Sequence, residues 1–153
     1  MVKISVVIIT FNEEEHLPKC LDSVKDIADE ILVLDSFSTD RTKEICLKAG
    51  IRFEEHAFDG YVSQKNRALE MASHDLILSL DGDEALSPIA ISKVLELKAL
   101  PAADGFIFNR RNYYCGQWMR HTSLYPDRKL RLFDRRKAHW VGYDPHDRVK
   151  MSK

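Results

Sequence analysis

The stretch Leu76-Ile77-Leu78-Ser79-Leu80-Asp81-Gly82-Asp83-Glu84 decides the fold. Its first five residues, mostly apolar, read as a buried strand, and a cluster of carboxylates follows at once. That order puts Asp81 and Asp83 at the carboxyl end of a strand, the edge where open α/β sheets bind their ligands. Gly82 between them lets the backbone turn tightly, so both carboxylates can aim at one point. Two hard oxygen ligands at one point suit Mg²⁺ or Mn²⁺, with substrate phosphates completing the shell. The stretch therefore predicts a divalent cation holding a phosphorylated ligand.

Outward from that strand, helix and strand signals alternate. Residues 4–9 form a β-branched run that reads as a central strand, ended by Thr10-Phe11-Asn12-Glu13. Residues 14–24 read as a helix with Leu17, Leu21 and Val24 on one face and Pro18 in its first turn, where proline is tolerated. A second strand over 31–34 ends at Asp35. Ser38 or Thr39 can cap the next helix, 40–49, which Gly50 closes. A short strand over 52–56 and a helix over 62–72 lead into the opening stretch. Beyond it, Ser87-Pro88 starts a helix to about Lys98 as cap and first helical residue. The alternation predicts a mostly parallel sheet covered on both faces. After Pro101 the pattern changes to short strands over 106–108, 129–133 and 139–141.

The chain has 153 residues, 44% hydrophobic and 31% charged, values of a globular domain with a real core. No apolar run approaches the roughly 18 residues that span a bilayer, and the amino terminus carries no signal-peptide pattern. A cytoplasmic location is the expectation. Cys20, Cys46 and Cys115 are odd in number and not spaced as metal ligands, so reduced thiols are expected, with Cys20 and Cys46 in the core. The net charge of −1 hides an asymmetry: residues 1–109 hold 11 Lys/Arg against 20 Asp/Glu, while residues 110–137 hold nine against two. The basic segment should face something anionic, pair with the acidic part, or stand as a solvated face.

Four segments occur in order: Val6-Val7-Ile8-Ile9-Thr10-Phe11-Asn12-Glu13, Leu34-Asp35-Ser36-Phe37-Ser38-Thr39-Asp40-Arg41-Thr42, Gln64-Lys65-Asn66-Arg67-Ala68 and Asp81-Gly82-Asp83-Glu84. Together they resemble the family 2 glycosyltransferases of the GT-A fold, and more closely the branch of β-glucosyltransferases that build lipopolysaccharide core. The resemblance implies a Rossmann-like three-layer α/β sandwich with a mostly parallel central sheet. It implies one glycosyltransferase domain over 1–153, truncated at its carboxyl end: a nucleotide-sugar-binding half, 1–100, and a partial acceptor and catalytic half, 101–153. It further implies an inverting transfer, of glucose for preference, from a UDP-sugar to a glycan or glycolipid acceptor such as lipopolysaccharide core, with Mg²⁺ or Mn²⁺ as cofactor. A contact with the inner face of the cytoplasmic membrane would suit such an acceptor.

Carried over by position, Thr10, Asn12 and Glu13 lie where family members place the uracil and ribose. Asp35 matches the acid that accepts a hydrogen bond from the uracil ring, although Asp35-Ser36 stands where the family has two successive acids. Lys65 matches a basic position near the nucleotide that screens pyrophosphate. Asp83 matches the acid holding the metal on the diphosphate, and Asp81 its partner nearer the ribose. Related sequences commonly have His-Glu where this chain has His146-Asp147. Asp147 is thus the expected base for the acceptor hydroxyl, Asp144 the second choice, and His146 a third metal ligand or a diphosphate contact.

The segment from Arg110 through Tyr114 and from Trp118 to His121 mixes cations with aromatics, which stack on sugars and bind phosphates. Core packing is the alternative for Trp118 and Trp140. Among Arg128, Lys129 and Arg131, alternating with Leu130 and Leu132, at least some should face solvent. Nucleic-acid binding is disfavoured by the acidity of the rest of the chain. Three other readings remain: a binding module for nucleotide sugars without acceptor function, an aspartyl phosphatase using Asp81, and a dinucleotide enzyme. The phosphatase is disfavoured because the acid motif follows a late strand, the dinucleotide enzyme because the six glycines never approach a Gly-rich spacing.

Overall fold

The computed structural model describes residues 1–100, 103–119 and 126–152. The elements run β1 (Ile4–Thr10), α1 (Leu17–Val24), β2 (Glu30–Asp35), α2 (Thr42–Lys48), β3 (Arg52–Glu55), α3 (Tyr61–Met71), β4 (Leu76–Asp81) and α4 (Pro88–Ala99). They continue with β5 (Gly105–Arg110), β6 (Tyr113–Tyr114), β7 (Gln117–Trp118), β8 (Asp127–Asp134), β9 (Ala138–Val141) and β10 (Arg148–Met151).

The main sheet has the order β3-β2-β1-β4-β8-β5. β3, β2, β1 and β4 are mutually parallel, β8 is antiparallel to β4, and β5 is antiparallel to β8. The central strands are apolar on both faces because both are covered. Ile4, Val6 and Ile8 of β1 join Leu17, Cys20, Cys46 and Val94 in one core. Val7, with Leu32, Ile77 and Phe133, packs on Ala68, Leu69 and Trp140 in the other. The result is the expected three-layer α/β sandwich with a mostly parallel sheet, and β5 and β8 extend that same sheet.

The strand order places the site. From β1 the chain winds outward to β2 and β3, then crosses back to put β4 on the other side of β1. The carboxyl ends of β1, β2 and β4 therefore meet at a topological switch point. There Thr10 pairs in register with Asp35, and Ile9 with Asp81.

Local details differ from the sequence reading. Helix α1 starts at Leu17 rather than at residue 14, because Glu14 to His16 form a turn ahead of it. Ser38 and Thr39 do not cap α2. Ser38 bonds back to Asp35, and Asp40 Oδ1 takes the Thr42 N–H instead. Ser87 does cap α4, accepting the Ala90 N–H at 3.2 Å. The two-residue strands of the β6–β7 hairpin carry no sequence signal beyond their aromatics, and the four residues of β10 are too few for a usable period. Among the described residues no helix is long and apolar enough to cross a membrane.

Candidate functional site

The wall nearest β2 is built by side chains that bond to one another. Asp35 is fully buried at the end of β2. Its Oδ1 accepts from the hydroxyls of Thr10 and Ser38, each at 2.6 Å, and its Oδ2 accepts the Ser38 N–H at 2.7 Å. Asn12, at φ 51°, accepts the Thr39 N–H on Oδ1, while its own N–H donates to Ser38 Oγ. Asn tolerates this left-handed conformation better than most residues. Thr10, Asn12 and Asp35 thus hold the 36–39 loop, whose Phe37 is also at positive φ and is exposed. The expected uracil acceptor is turned into the protein and organises that loop.

The acidic turn faces this wall. Gly82 does not adopt a left-handed conformation. It is needed because a Cβ there would lie 2.9 Å from Thr10 Cγ2 and 3.0 Å from Glu13 Cγ. Its N–H donates to the Ile9 carbonyl, stitching the turn to β1. Asp83 is exposed and has no hydrogen-bond or ion-pair partner among the described residues. Glu13 lies close enough that its carboxyl is pushed above the usual range, first by burial and then by the charge of Asp83.

Lys65 of α3 is almost completely buried. Its Nζ lies 2.7 Å from Asp147 Oδ2 and 3.2 Å from Asp81 Oδ1. The contact to Asp81 lacks hydrogen-bond geometry, so Asp81 Oδ1 is buried without a hydrogen bond. The ammonium sits 4.2 Å from the centre of the Trp140 ring. Instead of offering a free cation, Lys65 joins the acid that ends β4 to the acid before β10. Asn66, its neighbour, locks β9 in place: it donates to the Trp140 carbonyl and accepts the Trp140 N–H, each at 2.9 Å.

Asp144 has a different task from the one expected as second-choice base. Both its oxygens accept the Tyr61 N–H, at 3.1 and 3.2 Å, which caps the start of α3. His146 packs its ring on Tyr143, 5.3 Å between centroids. It is not gathered with Asp81 and Asp83: among the described residues no three His, Cys, Asp or Glu side chains come together as a metal cage. The expected three-ligand set is therefore not preassembled among the described residues: the loop that carries His146 is tied to α3 through Asp144, and the His146 ring packs on Tyr143. An orphaned buried oxygen on Asp81, an unpartnered Asp83 and hard carboxylate donors still fit a cation held by one or two acids, with phosphates filling the rest of its shell.

The basic segment largely pairs with acids. Arg110 and Lys129 meet Asp127, Arg131 meets Glu84, Arg135 and Arg136 meet Asp75, and Lys137 meets Asp104. Of Arg128, Lys129 and Arg131, only Arg128 is fully exposed and Arg131 is buried. Trp140 is core and Trp118 is exposed, stacked edge-on with Tyr113 at 5.1 Å. Arg120 and His121 lie outside the described residues, as does the side chain of Tyr114. Arg131 and Glu84 were not read as site residues. The only signal for them was position, Glu84 immediately after the acidic motif.

The family model "Glycosyl transferase family 2" matches residues 5–152. The chain is 36% identical over 145 residues to the lipopolysaccharide core biosynthesis glycosyltransferase LpsC of Rhizobium meliloti, covering 90% of this chain and 53% of LpsC. It is 44% identical over 87 residues to an uncharacterized glycosyltransferase, RT0209, of Rickettsia typhi, covering 57% of this chain and 30% of that protein. The chain thus spans between about a third and half of these relatives. Among solved structures, TarS 1-349 of S. aureus shares the fold at TM-score 0.55 and 23% identity, covering 68% of this chain and 34% of TarS. Glucosyl-3-phosphoglycerate synthase of Mycobacterium tuberculosis, in complex with UDP, superposes at TM-score 0.50 and 29% identity, covering 54% of this chain and 34% of that one. By sequence over nearly its whole length, and by the sheet order that sets its acidic turn at the switch point, this chain belongs to glycosyl transferase family 2.

Proposed function

We propose that this chain carries the donor site and the base of an inverting glycosyltransferase. It moves a sugar, glucose for preference, from a UDP-sugar to a glycan or glycolipid such as lipopolysaccharide core. The observation that supports it most directly is the convergence at one sheet edge of the Thr10–Asp35 wall, the Asp81–Asp83 turn and the Lys65–Asp147 pair. The likeness to LpsC and to a synthase that binds UDP favours the same donor chemistry.

In this reading the 10–13 segment and the loop held by Asp35 receive the nucleoside. Asp81 lies on the ribose side, and Asp83 projects toward the diphosphate. These acids would hold Mg²⁺ or Mn²⁺, which would supply Lewis-acid charge for the departing diphosphate. Asp147 takes the proton from the acceptor hydroxyl as its oxygen attacks the anomeric carbon on the face opposite UDP. The bond from that carbon to the diphosphate oxygen breaks, and the configuration inverts. Lys65 holds Asp147 in place and balances its charge and that of Asp81 until the donor arrives. Asp144 fixes the loop on which Asp147 stands, and His146, exposed on that loop, is assigned a diphosphate contact in this reading.

Calorimetric titration of UDP and UDP-glucose, with and without Mn²⁺, on wild type and Asp83→Ala tests the donor site. Metal-dependent binding that the variant loses is the expected result; no binding by wild type under any condition defeats the reading. A second reading is a nucleotide-sugar-binding module without acceptor function, favoured by the closeness of the Lys65–Asp147 pair. Asp147→Asn separates the two, because a module keeps its donor affinity and has no turnover to lose.

A further inference from the structure

Arg131 lies on β8 between Leu130 and Leu132, where a strand pattern gives a cation to solvent, yet its side chain is only 7% exposed. Its Nη1 donates to the Ser79 carbonyl at 3.3 Å and lies 3.0 Å from Glu84 Oε1, and its Nη2 donates to Glu84 Oε2 at 3.2 Å. Both Nη atoms thus face the carboxylate, one through a hydrogen bond and one through a close ion-pair contact, while Nη1 also bonds a backbone carbonyl, a planar arrangement that lysine's single ammonium cannot reproduce.

Glu84 in turn closes the acidic turn from both sides. Its Oε1 accepts the Asp81 N–H at 2.8 Å, and its own N–H donates to the Asp81 carbonyl at 3.0 Å. The guanidinium thus holds the carboxylate by a hydrogen bond to Oε2 and an ion-pair contact to Oε1, the oxygen that also accepts the amide of the first motif aspartate. Burial pushes the Glu84 carboxyl upward, Arg131 opposes this, and the charge of Asp81 adds to it. Arg110 approaches more distantly, at 3.9 Å. Arg131 is thus the close counter-charge of a carboxylate next to two acids that must themselves stay charged to bind a cation. Its guanidinium also lies 5.6 Å from the centre of the Trp140 ring, the indole that Lys65 approaches from its own side chain.

We propose that Arg131 is a positioning residue for the acidic turn: acting through Glu84, it fixes the backbone from which Asp81 and Asp83 meet the cation and the diphosphate, and touches neither ligand itself. This rests on the donor-site reading above. A salt bridge that only stabilised the sheet would leave metal affinity unchanged in every variant that folds. A positioning role links the two quantities through one turn.

The test titrates UDP in the presence of Mn²⁺, and UDP in EDTA, against wild type, Arg131→Met, Glu84→Gln, the double variant and Arg131→Lys, with circular dichroism and thermal melting on each. Each of the first two single variants should weaken Mn²⁺-dependent UDP binding about 10–100-fold, the usual cost of losing an outer-shell partner. UDP binding in EDTA should not change. The double variant should bind no worse than the weaker single one, because both cut the same link. Arg131→Lys should recover part of the loss, restoring charge without the planar arrangement. Wild-type affinity in folded Arg131→Met, or losses that simply add in the double variant, overturns the proposal. If Arg131→Met does not fold, wild-type affinity in both Glu84→Gln and Arg131→Lys overturns it equally. Absence of Mn²⁺-dependent UDP binding by the wild type overturns the donor-site reading along with it, whereas normal wild-type binding with unaffected variants defeats the Arg131 role alone.

Discussion

The two edges of the sheet treat charge in opposite ways. At the amino edge of the strands, among the described residues, buried and half-buried charges are matched. Glu30 accepts from the hydroxyls of Ser5 and Ser73, from the Ser73 N–H and from Arg52. Lys98 donates to the Ile27 carbonyl and to Asp29, which also accepts the Ile4 N–H. Arg135 donates to Asp75 and to the carbonyls of Leu69 and Ala72 at the end of α3. At the carboxyl edge the matching is incomplete. Asp83 has no partner among the described residues, Asp81 Oδ1 has no hydrogen bond, and Glu13 is pushed upward by burial and then by its acidic neighbours. The amino edge gains stability from its charges, whereas the carboxyl edge keeps negative potential that a cation would relieve.

The largest effect expected from breaking this contrast is on turnover. Asp147→Asn should lower kcat about 10²–10⁴-fold, the usual contribution of a general base, with donor affinity held, as steady-state rates beside UDP titration would reveal. A similar loss of affinity and rate together would instead mark Asp147 as a donor ligand.

The next comparison concerns stability and pH. Burial alone would raise Glu30, but the hydrogen bonds from Ser5, Ser73 and Arg52 outweigh it and bring the carboxyl down to about 2. A carboxylate whose folded pKa is depressed contributes its stability above the unfolded value, near 4.5, and loses it as pH falls toward 2. Glu30→Gln should therefore cost about 1–3 kcal/mol near neutral pH. In denaturant melts the gap from wild type should close between pH 4.5 and 2. Asp83→Asn, at the other edge, should do the reverse and leave the metal-free protein as stable as wild type or up to about 0.5 kcal/mol more so, by removing a like charge. A stabilising Glu30→Gln or a strongly destabilising Asp83→Asn would erase the contrast.

Gly82→Ala comes third. Its methyl would press on Thr10 and Glu13, forcing the turn away from β1, at about 1–3 kcal/mol. Thermal melting measures the stability loss, and a weaker Mn²⁺-dependent UDP affinity should accompany it. A smaller effect sharpens the picture of the thiols. Burial pushes Cys20 and Cys46 up to about 12, while Cys115 is exposed at the tip of the β6–β7 hairpin. A maleimide should modify one thiol in the native protein and three after unfolding, counted by mass spectrometry.

Much of the fold was legible because its signals are local. The β-branched run before Thr10, the apolar stretch before Asp81 and the Ser87-Pro88 helix start each depend on neighbours in sequence, and the structure places elements there. The short hairpin and β10 were missed because two to four residues carry no usable period. At the site, the sequence brought forward Asp81, Asp83, Lys65 and Asp147 as separate letters. It could not tell that one ammonium holds two of those acids, nor that Asp144 caps a helix 83 residues earlier.

Residue type and spacing alone determined the parallel α/β architecture and the acidic turn at a strand end, which follow from backbone periodicity and from the chemistry of carboxylates beside a glycine. The glycosyltransferase family was reached through the resemblance of four ordered motifs, and the match over residues 5–152 bears it out. Only the tertiary structure decided which charges remain available. The pairing of Arg131 with Glu84 and of Lys65 with Asp147 joins residues 47 and 82 apart in the chain, and the basic segment likewise meets acids that only the fold brings near. Ion pairing is settled by distance and burial in space, and a strand pattern that marks Arg131 for solvent carries no information about the carboxylate waiting above it.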